Sequence, residues 1–343
     1  MKIVALAAPG RMEVREVPDP VPEKGEVVIA VSHCGICGSD LHEFSSNRSS
    51  PRLLGMFQPV MGHEFTGRVV AVGEGVNGPR EGDLVAVHPG GSCGRCDFCL
   101  AGRSNLCVAG YGVGYTRQGA YAEYVRIRAD QPVRLPDKSW LERAALSEPL
   151  GVALRALNRG GLEEGETVFI AGGGPIGLLT LLAARHKGAS AVLVSESAAS
   201  RRALAERLGA AAALDPADAV PDKVRERTGG LGSHLSVECV GVAAAMDDCL
   251  AATRRGGRIV VAGAFEQPYQ IDLLRLLVQE QSVLGTFGYA AEFGEAVELI
   301  VSGAIDVAPL ISNVVTLDEL PAAFDGLASD REGQQKVLVR PGR

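Results

Sequence analysis

The chain has 343 residues, 34 basic and 41 acidic, for a formal net charge of −7, and 46% of it is hydrophobic. That length allows two domains with separate cores, and charge spread without a basic stripe excludes a nucleic-acid footprint. No apolar run approaches the ~20 residues of a membrane span, so no membrane partner is expected and the chain reads as soluble, reduced and cytoplasmic.

Residues 3–8 form a short apolar run preceded by one lysine and followed by Pro9 and Gly10, which suits a first strand rather than a signal peptide. Up to residue 150, β-rich runs at 27–31, 66–72, 84–87 and 121–127 are broken by glycine and proline, predicting an antiparallel, barrel-like domain. Two sets of residues there carry chemistry. Cys37 opens the run Cys37-Gly38-Ser39-Asp40-Leu41-His42, and Gly62-His63-Glu64 follows at a distance. A thiolate, an imidazole and one carboxylate make a three-ligand zinc site with the fourth position free. Taken singly, His63 also reads as a core histidine and Glu64 as a surface acid. The second set is Cys93, Cys96, Cys99 and Cys107, a Cys-x2-Cys-x2-Cys-x7-Cys run with Gly94 and Gly102 inside it. Four thiolates would close a tetrahedral shell and leave no position for a reaction, so this lobe reads as a structural zinc site. A pair of disulfides is the alternative, and it fits poorly with a chain that does not look secreted. Of the remaining cysteines, Cys239 and Cys249 read as small buried residues.

From residue 151 the texture changes. Strand-like runs at 167–171, 191–195, 235–240 and 258–262 alternate with helical stretches such as 176–186 and 201–208, which predicts βαβ units and a parallel sheet. The first strand leads into Gly172-Gly173-Gly174-Pro175-Ile176-Gly177, a G-x-G-x-x-G between strand and helix. Gly172 would permit the tight turn, Gly174 the approach of a pyrophosphate, and Gly177 close helix–strand packing. Glu196, nineteen residues past Gly177 at the end of the next strand, could bind a ribose 2′-hydroxyl and repel a 2′-phosphate, favouring NAD over NADP. Arg201 and Arg202 lie close enough to bear on that choice, with a solvated helix face as their simpler role. After residue 285 the pattern is mixed, and 336–339 reads as a closing strand.

Together these motifs, with Ser147-Glu148-Pro149-Leu150 and Arg255 through Val260, resemble zinc-dependent medium-chain dehydrogenases over essentially the whole chain. Glu148 before Pro149 is similar to the polyol dehydrogenase branch. Residues 37–44 and 285–289 look most like (R,R)-butanediol dehydrogenases, with sorbitol-type enzymes close behind. The resemblance implies an α/β fold: a GroES-like β-rich catalytic domain from residues 1–150 and 286–343, and a doubly wound parallel-sheet Rossmann domain from 151–285. It implies two zinc ions per chain and NAD in preference to NADP. Cys37 and His63 would bind the catalytic zinc, with Glu64 or Glu148 as the third ligand, the two being able to exchange. Asp40 would orient His63, Ser39 would bond the substrate oxygen, and His42 would pass the proton towards solvent. The implied reaction is hydride transfer between NAD and a secondary alcohol or vicinal diol, zinc acidifying the alcohol. The alternative is a polyol, sugar or aminocyclitol dehydrogenase of a biosynthetic pathway. A small alcohol or ketone would be the partner, and a homodimer or homotetramer the assembly. Residues 43–60, with Arg48 and Arg52 among them, are expected to border the substrate pocket. A non-catalytic nucleotide-binding relative would have lost Cys37 or His63, and a zinc-free reductase on the same scaffold would lack the cysteine lobe.

Overall fold

The computed structural model describes residues 1–45, 59–329 and 334–342. Most of the expected pocket border, including Arg48 and Arg52, lies outside the described residues. The chain divides into two compact units, one of Met1–Glu148 with Phe293–Arg343 and the other of Pro149–Glu292.

In the first unit the main sheet runs in the order Ile311–Thr316, Lys336–Arg340, Glu26–Gly35, Glu64–Val72, Leu84–Val87, Pro132–Arg134, and Tyr124–Arg128 pairs with Glu26–Gly35. The pairing is antiparallel except between Ile311–Thr316 and Lys336–Arg340, which run parallel. Glu26–Gly35 is the hub. It is buried over most of its length, which accounts for its apolar start, Val27-Val28-Ile29-Ala30-Val31. Its last residue, Gly35, registers against both Glu64 and Leu338. That double register brings the start of one strand and the closing strand of the chain to the same point. The core beneath is built on Ile29, Phe65, Val69, Val85, Tyr121 and Phe324.

One expected strand is shorter than its sequence pattern. The run 121–127 begins as a strand only at Tyr124, because the N–H groups of Ala120 and Tyr121 donate to the carbonyls of Gly62 and Met61 rather than to a ladder. The chain there is diverted to brace the segment that carries His63.

The second unit holds a six-stranded sheet, wholly parallel, in the order Ala212–Leu214, Ala191–Ser195, Thr167–Ala171, Ser233–Glu238, Thr253–Val261, Ser282–Gly285. Numbered within the unit this is 3-2-1-4-5-6, the doubly wound arrangement whose crevice opens at the carboxyl ends of the first and fourth strands. The α/β class expected from the alternating pattern is the class observed. Strand four ends at Glu238 rather than 240, because the Glu238 carboxylate turns back to accept the N–H groups of Val240 and Gly241 at 2.8 Å each.

The glycine loop fixes how closely the helix Pro175–His186 meets its strand. A Cβ on Gly177 would stand 1.8 Å from the Gly172 carbonyl oxygen, so any side chain there forces the two backbones apart. Gly177→Ala is therefore expected to cost about 1–3 kcal/mol of stability and to weaken dinucleotide binding. Urea unfolding and NADH fluorescence titration check this, and parent-like values in both would refute the constraint.

Candidate active site

Two residues, Ile36 and Cys37, join the strand Glu26–Gly35 to the helix Gly38–Ser45. Asp40, in the first turn, is fully buried. Its Oδ2 accepts the Cys37 N–H at 3.0 Å and the Tyr121 hydroxyl at 2.6 Å, which pins the junction. Burial raises the pKa of the Asp40 carboxyl, against the pull of His63 and these two donors.

Gly62, at φ +93°, turns the chain just before His63; a Cβ there would lie 2.8 Å from the Tyr121 ring. His63 is 1% exposed, and its Nδ1 faces Asp40 Oδ1 at 3.6 Å. Neither of those two atoms has a hydrogen-bond partner. Burial alone would lower the imidazole pKa, but the Asp40 carboxylate and the Cys37 sulfur outweigh it and raise it to about 10. With Nδ1 turned to the carboxylate, Nε2 is the nitrogen presented to the site.

Glu64 opens the next strand with no exposed surface. Its two oxygens accept from the Lys336 ammonium at 2.8 and 2.7 Å, and Lys336 Nζ also donates to the Ile36 carbonyl at 3.0 Å. Gly35 makes room for this pair, since a Cβ there would fall 1.9 Å from Glu64 Oε2. Burial would lower the Lys336 pKa, and the Glu64 charge beside it more than restores it, so the ammonium stays charged.

Cys37, His63 and Glu64 converge: one ligand atom from each lies within 4.8 Å of the others. Thiolate, imidazole and carboxylate are the donors zinc takes in open sites, so the set fits that metal. Glu148, at the start of the helix Ser147–Gly160 and 9% exposed, stands outside that group. Its charge still acts on His63, Tyr115 and Lys336. Ser39 and His42 share the helix with Asp40, three residues apart. Ser39 Oγ lies 3.2 Å from the Tyr115 hydroxyl, which is itself 2.8 Å from His63 Nε2. Sequence reasoning missed Tyr115 and Lys336, and no local pattern marks either.

The four-cysteine lobe brings its sulfurs together at 4.0 Å (Cys93–Cys99), 3.5 Å (Cys96–Cys99) and 3.9 Å (Cys96–Cys107). A tetrahedron of Zn–S bonds has edges of roughly 3.8 Å, whereas a disulfide needs about 2.05 Å. All eight cysteines are free, so the disulfide alternative does not hold. Backbone N–H groups of Cys99 and Val108 aimed at Cys96 lower its thiol pKa to about 6, which favours the thiolate a metal takes.

In the second unit, Gly172 has φ +104° and the Gly173 N–H donates to Glu196 Oε2 at 2.9 Å. The other Glu196 oxygen accepts from the Ala198 N–H at 2.9 Å and from Ser197 Oγ at 3.1 Å. Gly174 caps the helix without a side-chain bond, and a Cβ on it would meet nothing within 4 Å. Uncapped N–H groups facing open space suit a pyrophosphate. Arg201 and Arg202 are not the solvated face expected: their side chains are only 14% and 22% exposed. The Glu196 carboxylate draws in Arg201, at 3.9 Å, while Arg202 bonds the Glu196 and Ser197 carbonyls and pairs with Asp215 at 2.9 Å.

Comparison with known proteins agrees with this geometry. Residues 23–137 match the alcohol dehydrogenase GroES-like domain and residues 175–302 match the zinc-binding dehydrogenase family. Sorbitol dehydrogenase of Bacillus subtilis is 32% identical, covering 100% of this chain and 98% of that one. Among solved structures, a protein described as a zinc-binding dehydrogenase of Sinorhizobium meliloti, bound to NADP, superposes with TM-score 0.90 at 35% identity, covering 99% of each chain. The 2R,3R-butanediol dehydrogenase of B. subtilis gives TM-score 0.89 at 32% identity, again over 99% of each. The chain belongs to the zinc-binding, GroES-like alcohol dehydrogenase family, within its polyol dehydrogenase branch, and is an oxidoreductase of CH–OH groups.

The buried pair at the site makes a direct prediction. In metal-stripped protein, Lys336→Met leaves Glu64 uncompensated and is expected to cost about 3–5 kcal/mol, with Lys336→Arg costing less. Denaturant unfolding reads this, and a parent-like Lys336→Met midpoint would show that the pair does not hold the site together.

Proposed function

We propose that this chain interconverts a secondary alcohol or vicinal diol and its ketone with NAD, using two zinc ions, one catalytic and one structural. The observation that carries the reading is the convergence of Cys37, His63 and Glu64 within 4.8 Å, in the unit that also presents Ser39. Cys37 and His63 hold the catalytic metal, and Glu64 or Glu148 completes it; Cys93, Cys96, Cys99 and Cys107 hold the structural one. Residues 1–150 and 286–343 serve as the catalytic domain and 151–285 as the NAD-binding domain. When bound, zinc supplies a Lewis acid that acidifies the alcohol, and the dinucleotide supplies the hydride acceptor.

The chain's own residues do the rest. Asp40 keeps Nδ1 of His63 turned inward and so aims Nε2 outward. Ser39 bonds the substrate oxygen, and His42, on the same helix, passes the proton by way of the ribose hydroxyls towards solvent. In the nucleotide site Gly172, Gly174, Pro175, Ile176 and Gly177 form the pyrophosphate cradle. Glu196 takes the ribose hydroxyls, supporting NAD, while Arg201 beside it is the residue that would favour NADP, the dinucleotide held by the S. meliloti relative. The sorbitol dehydrogenase likeness supports a second reading in the same class, oxidation of a longer polyol or sugar.

Among the described residues no helix is long and apolar enough to cross a membrane. Free cysteines throughout suit a reducing cytoplasm. A homodimer or homotetramer is supported by the helix Leu273–Gln279, whose Leu273, Leu274, Leu277 and Val278 are all exposed just before the edge strand Ser282–Gly285.

Cys37→Ala or His63→Ala is expected to lower hydride transfer by on the order of 10³-fold or more, to leave NADH affinity intact and to drop zinc from two per chain to one. Comparable turnover in either variant would defeat the reading. Cys99→Ser is expected to lose the other zinc and melt earlier; a parent-like metal content would rule out the lobe as a zinc site. Glu196→Ala is expected to raise kcat/KM for NADP relative to NAD by about tenfold or more, the worth of one strong hydrogen bond or repulsion, measured by steady-state kinetics with both dinucleotides.

A further inference from the structure

We propose that Tyr115 contacts substrate directly and selects it, its hydroxyl receiving the second oxygen of a vicinal diol or α-hydroxy ketone while Ser39 holds the reacting one. The inference rests on the reading above and deepens it.

The first support is placement. The Tyr115 hydroxyl is 2.8 Å from Nε2 of His63, the nitrogen on the side away from Asp40, and 3.2 Å from Ser39 Oγ. It therefore stands on the reacting side of the imidazole, next to the residue assigned to the substrate oxygen; a metal taking Nε2 would turn the hydroxyl off that nitrogen and leave it, beside Ser39, for substrate. Its ring lies against the His63 ring, with centroids 4.4 Å apart.

The second support is rigidity. The N–H groups of Tyr115, Thr116 and Arg117 all point to the Gly112 carbonyl, at 3.2, 2.9 and 3.0 Å. The Gly112 N–H donates to Thr116 Oγ1 at 3.0 Å, and the Gly114 N–H to the Arg117 carbonyl at 2.8 Å. Gly114, at φ +81°, is pressed so closely on Gly62 that a Cβ would fall 2.6 Å from the Gly62 carbonyl oxygen. The loop is thus fastened to the residue preceding His63, which fixes the backbone from which the phenol projects, and the ring packs on His63. Packing alone would be served by phenylalanine; a hydroxyl in this position carries a desolvation cost that only hydrogen bonding offsets.

The third support is chemistry. A phenol both donates and accepts, so it serves a hydroxyl or a carbonyl equally. Two such groups 3.2 Å apart match oxygens on adjacent carbons held gauche. A mono-alcohol makes only the Ser39 bond, whereas a diol makes both. Sites that hydrogen-bond a substrate oxygen discriminate strongly against the analogue lacking it. The chemistry at the reacting carbon is unchanged: one hydride and one proton leave it, and the second oxygen only binds.

The test compares kcat/KM for 2,3-butanediol and 2-butanol in zinc-loaded wild type and Tyr115→Phe, with zinc content and melting temperature measured on both. The wild type is expected to prefer the diol by about tenfold or more, and Tyr115→Phe to reduce that preference by about tenfold. A diol-to-mono-alcohol ratio in Tyr115→Phe within twofold of wild type overturns the proposal, because a residue acting only through Ser39 or His63 would slow both substrates alike. A wild type with no preference for the diol overturns it too, whatever the variant does. A wild type that oxidises neither alcohol, nor any other secondary alcohol, with either dinucleotide removes the parent reading, a result distinct from a lost preference.

Discussion

The unit that carries Cys37 and His63 is organised around a buried ion pair. Glu64 has no exposed surface, and taking a carboxylate out of water is expensive unless a counter-charge and hydrogen bonds meet it. Lys336 does both, placing its ammonium on the two carboxylate oxygens and on one main-chain carbonyl. The cost is met by geometry: a glycine at 35 leaves the hollow in which the carboxylate sits. With Glu64 fixed, the adjacent His63 is fixed, and with the register of the strand that ends at Gly35, so is Cys37. Such a pair does little for net stability compared with apolar packing. What it fixes is position, and a metal site tolerates little error in position.

Much of this was legible because it is local. The cysteine lobe and the glycine loop each lie within about fifteen residues or fewer, and spacing alone brings their atoms together. The strands 84–87, 167–171 and 191–195 also stand where their apolar runs predict, since a buried strand has to read as continuous hydrophobicity. Cys37 and His63 were legible as residue types, but their convergence depends on a pairing register that no single-strand pattern encodes. Tyr115 and Lys336 were not legible at all. Each is an ordinary residue in its own segment, and each matters only because a loop fastened to Gly62, or the last strand of the chain, delivers it to the site. Arg201 and Arg202 show the same limit from the other side. Their helix reads as a polar face, yet two carboxylates and two carbonyls from outside the helix draw them in.

The two metal-type clusters illustrate opposite electrostatic solutions. The lobe gathers four identical sulfurs in half-buried surroundings, where main-chain N–H groups lower the thiol pKa of Cys93 and Cys96 while burial raises that of Cys99. The inner cluster mixes one sulfur, one imidazole and one carboxylate under nearly complete burial, and each acidic or basic member has its own named partner in Asp40 or Lys336. The first arrangement is self-contained and could brace any loop. The second depends on distant chain for its counter-charges.

That dependence has a consequence in time. Glu64 and Lys336 are 272 positions apart, and the whole of the Pro149–Glu292 unit is encoded between them. On the ribosome, which releases chain from the N-terminus at several residues per second, the Pro149–Glu292 unit is complete while the other unit still lacks its closing strand. Until that strand arrives, Glu64 has no ammonium to hold it and the hub strand has an open edge. The strand that carries Glu64 is therefore made early and braced late, and the nascent chain passes through an interval in which the parallel sheet is whole while the Cys37, His63 and Glu64 cluster still lacks its ammonium.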